Sequence, residues 1–221
     1  MGIPVLVLGD SGAGKSTSMM NLEGSKTFLI QSIDKRLPFP KPESKGWVRR
    51  TEDNPLGNVV VTDDYDQITQ FINGAAASGK FDRIIVDDAQ YLMANDFMRR
   101  AMETGFTKFT SMAVSFNSLF HTAMSCAGDT RVYFLSHTDL DVNGKTRMKT
   151  IGKLLDEKIT LEGLFSFVIG CKEKDGKHHF ITKGTSFDTF KTPLGMFQEQ
   201  EIENDIQLVE NALIEYYELT K

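Results

Sequence analysis

The sequence predicts an α/β fold with a largely parallel sheet flanked by helices. Short apolar runs alternate along the chain with segments in which apolar residues recur every three or four positions. The first run, residues 4–8, is continuous and ends at Gly9, which is typical of a strand buried on both faces of a parallel sheet. The 221 residues suffice for one domain of ordinary to large size with its own core.

The predicted elements follow in chain order. Strands are expected at 4–8, 27–30, 58–61, 83–86 and 132–135, and in a late hairpin that joins 165–170 to 179–182. Helices are expected at about 16–23, at 62–79, at 91–127 with a break near Gly105, and in the tail. Residues 35–50 contain three prolines and are predicted to form an extended loop. Strands that alternate with helices favour a parallel sheet.

The negative charge is concentrated in the tail. The formal net charge is −5, from 25 Lys and Arg against 30 Asp and Glu, and residues 199–221 hold seven of the acids and one base. The other 198 residues therefore carry 24 bases and 23 acids. Apolar residues from Ile202 to Tyr216 are spaced four, three, four and three apart, which predicts an amphipathic helix with its charged face outward. We therefore divide the chain into a core, 1–198, and an acidic helix, 199–221, packed on that core.

Composition excludes several classes of protein. An acidic balance argues against a protein that coats nucleic acid by bulk charge. Cys126 and Cys171 lie 45 residues apart, match no metal or redox spacing and exclude a disulfide framework. No apolar run approaches the roughly 18 residues of a membrane span, and the first residues lack a basic leader. We expect a soluble, cytoplasmic protein.

The strongest motif is Gly9-Asp10-Ser11-Gly12-Ala13-Gly14-Lys15-Ser16, which satisfies the Walker A pattern G-x-x-x-x-G-K-[ST]. It lies between a predicted strand and a predicted helix, where backbone N–H groups and a helix dipole can meet a triphosphate. Lys15 is expected to bind the β- and γ-phosphates of ATP, and Ser16 to coordinate Mg²⁺. The predicted nucleotide-binding residues are Gly9, Asp10, Ser11, Gly12, Ala13, Gly14, Lys15, Ser16 and Thr17.

Polar residues at other strand ends complete the predicted catalytic set. Asp87 follows an apolar strand and is expected to be the Walker B carboxylate that holds the metal with Ser16. Asp88, next to it, and Asp34, after the second strand, are alternatives for activating the attacking water. His137 ends another strand and is expected to sense the γ-phosphate. The predicted catalytic residues are thus Lys15, Asp88, Asp34 and His137.

A basic segment follows His137. Residues 144–153 carry no acid and the four bases Lys145, Arg147, Lys149 and Lys153, and flanking glycines predict a mobile loop suited to a phosphate backbone. A solvated loop without a partner is the alternative. The bases around Trp47, namely Lys41, Lys45, Arg49 and Arg50, form a second candidate for nucleic-acid binding.

Longer stretches carry a family resemblance. The chain contains GDSGAGKSTSMMNL, IDKRLPF, VTDDYDQI, IIVDDAQYLMANDFMRRA, FLSHTD, KTIGKLLDEKITLEGLF and PLGMFQEQEIENDI. Over nearly its whole length it resembles a family of phage-encoded AAA/RecA-like P-loop ATPases, some of which are assigned as small recombinases of single-strand annealing systems. Lys15, Ser16, Asp87 and His137 fall on the Walker A, Walker B and sensor positions of that family.

The resemblance implies a RecA-like core that hydrolyses ATP, binds single-stranded DNA and assembles into a ring or filament. The setting would be the host cytoplasm, with a phage single-strand binding or replication protein as a further partner. The chain is shorter than a full recombinase, which favours annealing or mediator work over independent strand exchange. In an assembly, Lys183 or Lys191 of a neighbouring copy is the cation expected to complete each ATP site.

Two other functions fit the P-loop. A P-loop kinase of small substrates should carry an arginine-rich lid, whereas residues 139–153 hold the single arginine Arg147. An ATP-switched loader or regulator of a replication or recombination enzyme needs little hydrolysis, and Asp88, where many ATPases carry Glu, is compatible with it. A GTPase is disfavoured, since no N-K-x-D motif follows the Walker B strand.

Overall fold

The centre of the molecule is an eight-stranded sheet. The computed structural model describes residues 1–219. Its main sheet consists of β1 (Ile3–Leu8), β2 (Thr27–Gln31), β3 (Val59–Val61), β4 (Arg83–Asp87), β5 (Arg131–Ser136), β8 (Phe167–Lys174), β9 (Lys177–Ile181) and β10 (Glu201–Glu203). A separate two-stranded sheet contains β6 (Thr138–Leu140) and β7 (Thr146–Met148). The four α-helices are α1 (Tyr65–Ala77), α2 (Gln90–Arg99), α3 (Thr107–Ser125) and α4 (Ile206–Tyr217).

The strand order is β10-β9-β8-β1-β5-β4-β2-β3. From β8 to β3 all neighbouring pairs are parallel, whereas β9 and β10 are antiparallel additions at one edge. The strand before the P-loop is therefore separated by one strand, β5, from the strand that ends at Asp87. This is an α/β core with a largely parallel sheet flanked by helices, a late hairpin and a C-terminal helix, and it confirms the predicted α/β class.

Alternating side chains of the strands form two cores, one on each face of the sheet. Leu6, Ile84 and Phe134 point to the face covered by α1, α2 and α3. Val7 and Ile85 point to the other face, which is covered by α4 and the segment around Trp47. Both sets are fully buried, as the continuous apolar runs predict for strands covered on two faces.

Local signals in the sequence explain several boundaries. The carboxylate of Asp64 caps α1 by accepting a hydrogen bond of 2.8 Å from the Gln67 amide. Gly105 has a φ of 84° and lies between α2 and α3, where the break was predicted. Asp175 and Gly176 have φ of 55° and 74°, which suits the type I′ turn that joins β8 to β9.

The predicted helix after the P-loop was wrong in length and type. The structure has only one turn of 3₁₀ helix there, Thr17–Met19. Ser18 illustrates the physical reason, because its hydroxyl donates a 2.5 Å hydrogen bond back to the Lys15 carbonyl. Serine and threonine side chains compete in this way with the helical hydrogen-bond pattern. The loop is therefore followed by a single 3₁₀ turn and not by an α-helix.

Two predicted loops are more ordered than expected. Residues 35–50 include a 3₁₀ turn, Pro42–Lys45, and Trp47 is 2% exposed and packs near Phe39. The indole is therefore not available to stack on a nucleic-acid base. Residues 144–153, predicted as a mobile loop, contribute β7 to the small hairpin, whose turn is held by the Asp141 carboxylate.

The predicted helix over 199–221 was wrong at its start. Glu201–Glu203 forms β10, in which Ile202 pairs with Phe180, because alternating polar and apolar residues suit an antiparallel edge strand. The helix begins only at Ile206, and positions 220–221 lie outside the described residues. The division of the chain at residue 198 stays a prediction.

The charged face of α4 is also not wholly outward, because Glu210 is completely buried. Its carboxylate lies 2.9 Å from Arg83 Nε and 3.0 Å from Arg131 Nη2, and it accepts a 2.6 Å hydrogen bond from the Tyr133 hydroxyl. Two guanidinium groups and a hydroxyl thus compensate for the lost hydration of this carboxylate. The cluster fixes α4 to the amino ends of β4 and β5.

No helix among residues 1–219 combines the length and the apolar character needed to cross a membrane.

Replacing Glu210 with Ala is expected to destabilise the protein by about 3–5 kcal/mol, because two buried arginines lose their counter-charge. The measurement is the free energy of unfolding in urea. Glu215→Ala is the matched control, since Glu215 is exposed on the same helix and its loss should cost less than about 0.5 kcal/mol. Equal effects of the two substitutions would contradict a role for the buried cluster.

Candidate functional site: the P-loop pocket

The candidate site is a pocket of about 210 Å³ at the carboxyl edge of the parallel sheet. Residues of the loop 11–17 line it, and so do Lys35, Arg36 and Pro38. Asp88, after β4, and His137, after β5, complete the lining. The pocket therefore unites residues that follow four different strands.

Two glycines give the P-loop its shape. Gly12 and Gly14 have φ of 82° and 97°, in the left-handed region that other residues rarely adopt. A Cβ at Gly12 would meet no atom within 4 Å, so this side of the loop is open to a ligand. A Cβ at Gly14 would collide with Asn204 and His178, which pack against the back of the loop.

Neighbouring elements hold the loop in place. The Gly9 amide donates to the Ser136 carbonyl at 3.2 Å, and the Asn204 side chain donates to the Gly14 carbonyl at 2.9 Å. Cys171 donates through Sγ to the Ala13 carbonyl at 3.0 Å, and burial raises the pKa of this thiol to about 12. Cys171 is therefore a neutral anchor of the loop at physiological pH.

Lys15 is held at the base of the loop. Its Nζ donates to the carbonyls of Gly9 and Asp10 at 2.8 and 2.9 Å, and the residue is 5% exposed. Burial lowers the pKa of Lys15, and the nearby carboxylates Asp88 and Asp87 act against this shift. The Lys15 ammonium is thus desolvated and held against the backbone of the P-loop.

Ser16 and Asp87 meet beside the pocket. The Ser16 hydroxyl lies 2.9 Å from each of the two carboxylate oxygens of Asp87. Asp87 is completely buried, and this burial, together with the negative charge of Asp88, raises its pKa to about 6.

A hydroxyl and a carboxylate at this spacing fit the oxygen ligands that Mg²⁺ prefers when phosphates supply further ligands. Among residues 1–155 and 157–219, no group of three or more His, Cys, Asp or Glu could hold a metal by itself. The donor set therefore fits a metal carried in with a phosphate ligand rather than a site made by protein alone.

Asp88 adopts an unusual backbone conformation, with a φ of 58°. Its carboxylate forms an ion pair with Lys35 and lies 3.6 Å from His137 Nε2. Burial opposes ionisation of Asp88, but contacts with His137 and Lys35 outweigh it and hold the pKa below its ordinary value. Tyr91 packs edge-on against the His137 ring, with centroids 5.9 Å apart.

The second candidate carboxylate, Asp34, does not line this pocket. Its side chain is 65% exposed and forms a 2.8 Å ion pair with Arg49. Among the predicted trans cations, Lys183 donates to the Gln198 carbonyl at 2.9 Å, and Lys191 pairs through its backbone with Val168. Their role between copies stays a prediction.

The predicted DNA-binding residues lie on or near the β6–β7 hairpin. Lys145 and Lys149 flank β7, Arg147 lies within it opposite Asp139, and the exposed Lys153 side chain is 4.0 Å from Glu157. The hairpin is attached to the P-loop, because the Thr138 hydroxyl donates a hydrogen bond to the Asp10 carboxylate.

Sequence reasoning missed several residues around the site. Lys35 and Arg36 line the pocket, and Asn204 buttresses the P-loop from the C-terminal part of the chain. Lys35 follows the end of β2 and could have been found from the rule that parallel strands deliver their carboxyl ends to one edge. No signal in the sequence links Asn204 to Gly14.

Fold and site together define an α/β protein with a P-loop of the Walker A pattern. Among solved structures, the chain is similar to a KaiC-like protein from the hyperthermophilic archaeon Pyrococcus horikoshii, with 12% identity and a TM-score of 0.43. The alignment covers 86% of this chain and 82% of the archaeal chain. No protein-family model and no curated protein matches the sequence.

Replacing Asp87 with Asn is expected to stabilise the nucleotide-free protein at neutral pH. The folded-state pKa of about 6 exceeds the ordinary 3.8, so the folded protein binds more protons than the unfolded chain between these values. Stability should fall as pH rises through this window, by at most about 3 kcal/mol. Asn at position 87 does not ionise and so removes this loss of stability. The free energies of unfolding of the two proteins should therefore become equal at about pH 4. Urea unfolding with a chelator present measures the difference.

Asp88→Asn is the matched control, and it is expected to change the stability of the protein in the opposite direction. Because the pKa of Asp88 is lowered in the folded protein, its carboxylate adds stability at neutral pH that is lost as pH falls. The Asn variant should therefore be less stable than the unsubstituted protein at neutral pH. If both Asn variants shift stability in the same direction, the assignment of the two carboxylates is wrong.

Proposed function

We propose that the protein is a Mg²⁺-dependent ATPase that acts on single-stranded DNA in recombination, annealing or repair. The observation that carries the ATPase proposal is the Ser16 hydroxyl at 2.9 Å from both oxygens of Asp87, beside a glycine loop with Lys15 at its base. A loop with open N–H groups, a lysine, a hydroxyl and a strand-end carboxylate are the parts that P-loop ATPases use on a triphosphate. The DNA proposal rests on the family resemblance and on the hairpin beside the pocket.

Asp88 is the residue that we assign to the attacking water. Its lowered pKa keeps the carboxylate ionised at neutral pH, and it lies in the pocket lining. In the proposed reaction the water oxygen bonds to the γ-phosphorus, the bond from phosphorus to the bridging oxygen breaks, and Asp88 takes the water proton. Lys15 stabilises the charge on the phosphate oxygens. A bound Mg²⁺, held by Ser16 and Asp87, would neutralise phosphate charge.

Asp88→Asn and Asp34→Asn separate the two candidate carboxylates. Asp88→Asn is expected to lower the ATPase rate about 10²- to 10⁴-fold, because the proton acceptor is lost. Asp34→Asn should leave the rate nearly unchanged, since its side chain pairs with Arg49 outside the pocket. Phosphate release under saturating ATP is the measurement. Loss of activity in Asp34→Asn alone would transfer the role to Asp34.

The β6–β7 hairpin supports the DNA proposal in two ways. It begins directly after His137, and the Lys149 amide donates to the His137 carbonyl at 2.9 Å. An aromatic side chain also lies beside it, because the Phe187 carbonyl accepts a 2.9 Å hydrogen bond from the Thr146 amide and Phe187 is 70% exposed. Cations for phosphates next to a ring for bases form the combination that binds single strands.

Single-stranded DNA is expected to raise the ATPase rate, and Phe187→Ala should weaken DNA binding by about 1–3 kcal/mol through loss of base stacking. Phe106→Ala is the control, because Phe106 is 86% exposed on the α2–α3 connection, away from the hairpin in sequence. Half-saturation of the stimulated rate by an unstructured oligonucleotide measures both variants. Equal weakening by the two substitutions would remove Phe187 from the proposed surface.

The same assay decides between the alternatives. A rate that DNA leaves unchanged favours an ATP-switched loader or regulator, which needs nucleotide binding more than turnover. Transfer of the phosphoryl group to a small acceptor favours a P-loop kinase. Assembly into a ring or filament, with a partner such as a single-strand binding protein, belongs to the DNA proposal.

A further inference from the structure

We propose that Lys35 provides, from within the same chain, the cation that contacts the terminal phosphate of ATP. The inference rests on the proposed ATP binding and adds a catalytic residue to it. It also changes what assembly has to supply, because a cation in cis makes Lys183 or Lys191 from a neighbouring copy unnecessary for chemistry.

The position of Lys35 is the first argument. Lys35 and Arg36 line the same pocket as the Walker A residues, so a ligand bound on the loop would share the pocket with them. Lys15, by contrast, lies at the base of the loop on the Gly9 and Asp10 carbonyls. A phosphate in this pocket would therefore lie between two ammonium groups.

Hydrogen bonds and ion pairs restrain the backbone around Lys35, so we expect any movement of Lys35 to be confined to its side chain. Gln31, at the end of β2 and 2% exposed, donates from its side-chain amide to the Lys35 carbonyl at 3.2 Å. The preceding residue, Asp34, is paired with Arg49. The Lys35 side chain itself is 40% exposed, so we expect it to change conformation without disturbing the strand.

The present partner of Lys35 gives the second argument. Its ammonium neutralises Asp88, the carboxylate assigned to the attacking water, which is only 6% exposed. Burial disfavours the charged lysine, but the hydrogen bond with Asp88 and the negative charges of Asp87 and Asp88 together outweigh it and raise the pKa of Lys35. A triphosphate brings more negative charge than one carboxylate and competes for this cation.

Transfer of Lys35 from Asp88 to the γ-phosphate would have two effects at once. The phosphate oxygens gain a second ammonium where charge accumulates in the transition state. The carboxylate of Asp88, released from its ion pair, becomes the acceptor for the water proton. ADP lacks the γ-phosphate and would leave Lys35 on Asp88.

The experiment compares ATP and ADP binding to Lys35→Met with that to Lys45→Met. Lys45 lies in the same loop and loses the same charge, but its Nζ donates to the Met20 carbonyl at 2.7 Å and it does not line the pocket. Lys35→Met should weaken ATP about tenfold or more and leave ADP affinity within about twofold. Lys35→Arg should restore part of the ATP affinity, and Lys45→Met should change neither.

Equal weakening of ATP and ADP in Lys35→Met, or no change in either, would overturn the proposal. A second measurement tests the cis origin of the cation directly. The unsubstituted protein should keep a constant ATPase rate per chain on about hundredfold dilution, and a rate that falls with dilution would favour a neighbour's residue. If the unsubstituted protein binds neither nucleotide, the proposed function itself fails, and this inference falls with it.

Discussion

The candidate site depends on parallel pairing of β1, β5 and β4. Leu8 lies opposite Ser136, so β1 and β5 end at the same level, and Val86 lies opposite Phe134, so β4 ends one residue before that level. Parallel strands expose their carboxyl ends on one edge, and the residues that follow those ends are brought together there without further cost in loop ordering. The Walker A loop, Asp88 and His137 meet because of this register alone.

Asp87 and Asp88 lie next to each other at the carboxyl edge of the sheet, but their surroundings shift their pKa values in opposite directions. Asp87 is enclosed by the sheet with only the Ser16 hydroxyl as hydrogen-bond donor, and burial raises its pKa. Asp88 reaches Lys35 and His137 because its left-handed backbone turns it away from the strand direction, and its pKa is lowered. The two neighbouring carboxylates therefore differ in their protonation behaviour although they are adjacent in sequence.

Much of this arrangement is readable from the sequence, and the exceptions have physical causes. The P-loop and the strand that ends at Asp87 are contiguous motifs, and in both of them the residue types and the hydrophobic pattern predict the same structure. The cluster around Glu210 is not local, because its partners Arg83 and Arg131 come from distant strands and a buried glutamate looks like any surface acid. The helix expected after the P-loop is only one turn long, and the Ser18 hydroxyl competes there for the Lys15 carbonyl. The contact between Lys35 and Asp88 could not be predicted, because it depends on the pairing register of the strands that precede these two residues.

Few residues separate the P-loop pocket from the β6–β7 hairpin, so a conformational change in one could reach the other without the movement of a domain. Asp88 contacts His137, and one residue later Thr138 begins the hairpin and bonds Asp10 of the P-loop. The hairpin base is thus tied both to the strand that ends at His137 and to the loop that would hold the phosphates. The strand beneath is fully buried and close-packed. These contacts connect Asp88 and the P-loop directly to the hairpin, and the coupling of nucleotide binding to the hairpin that the proposed function implies would use them.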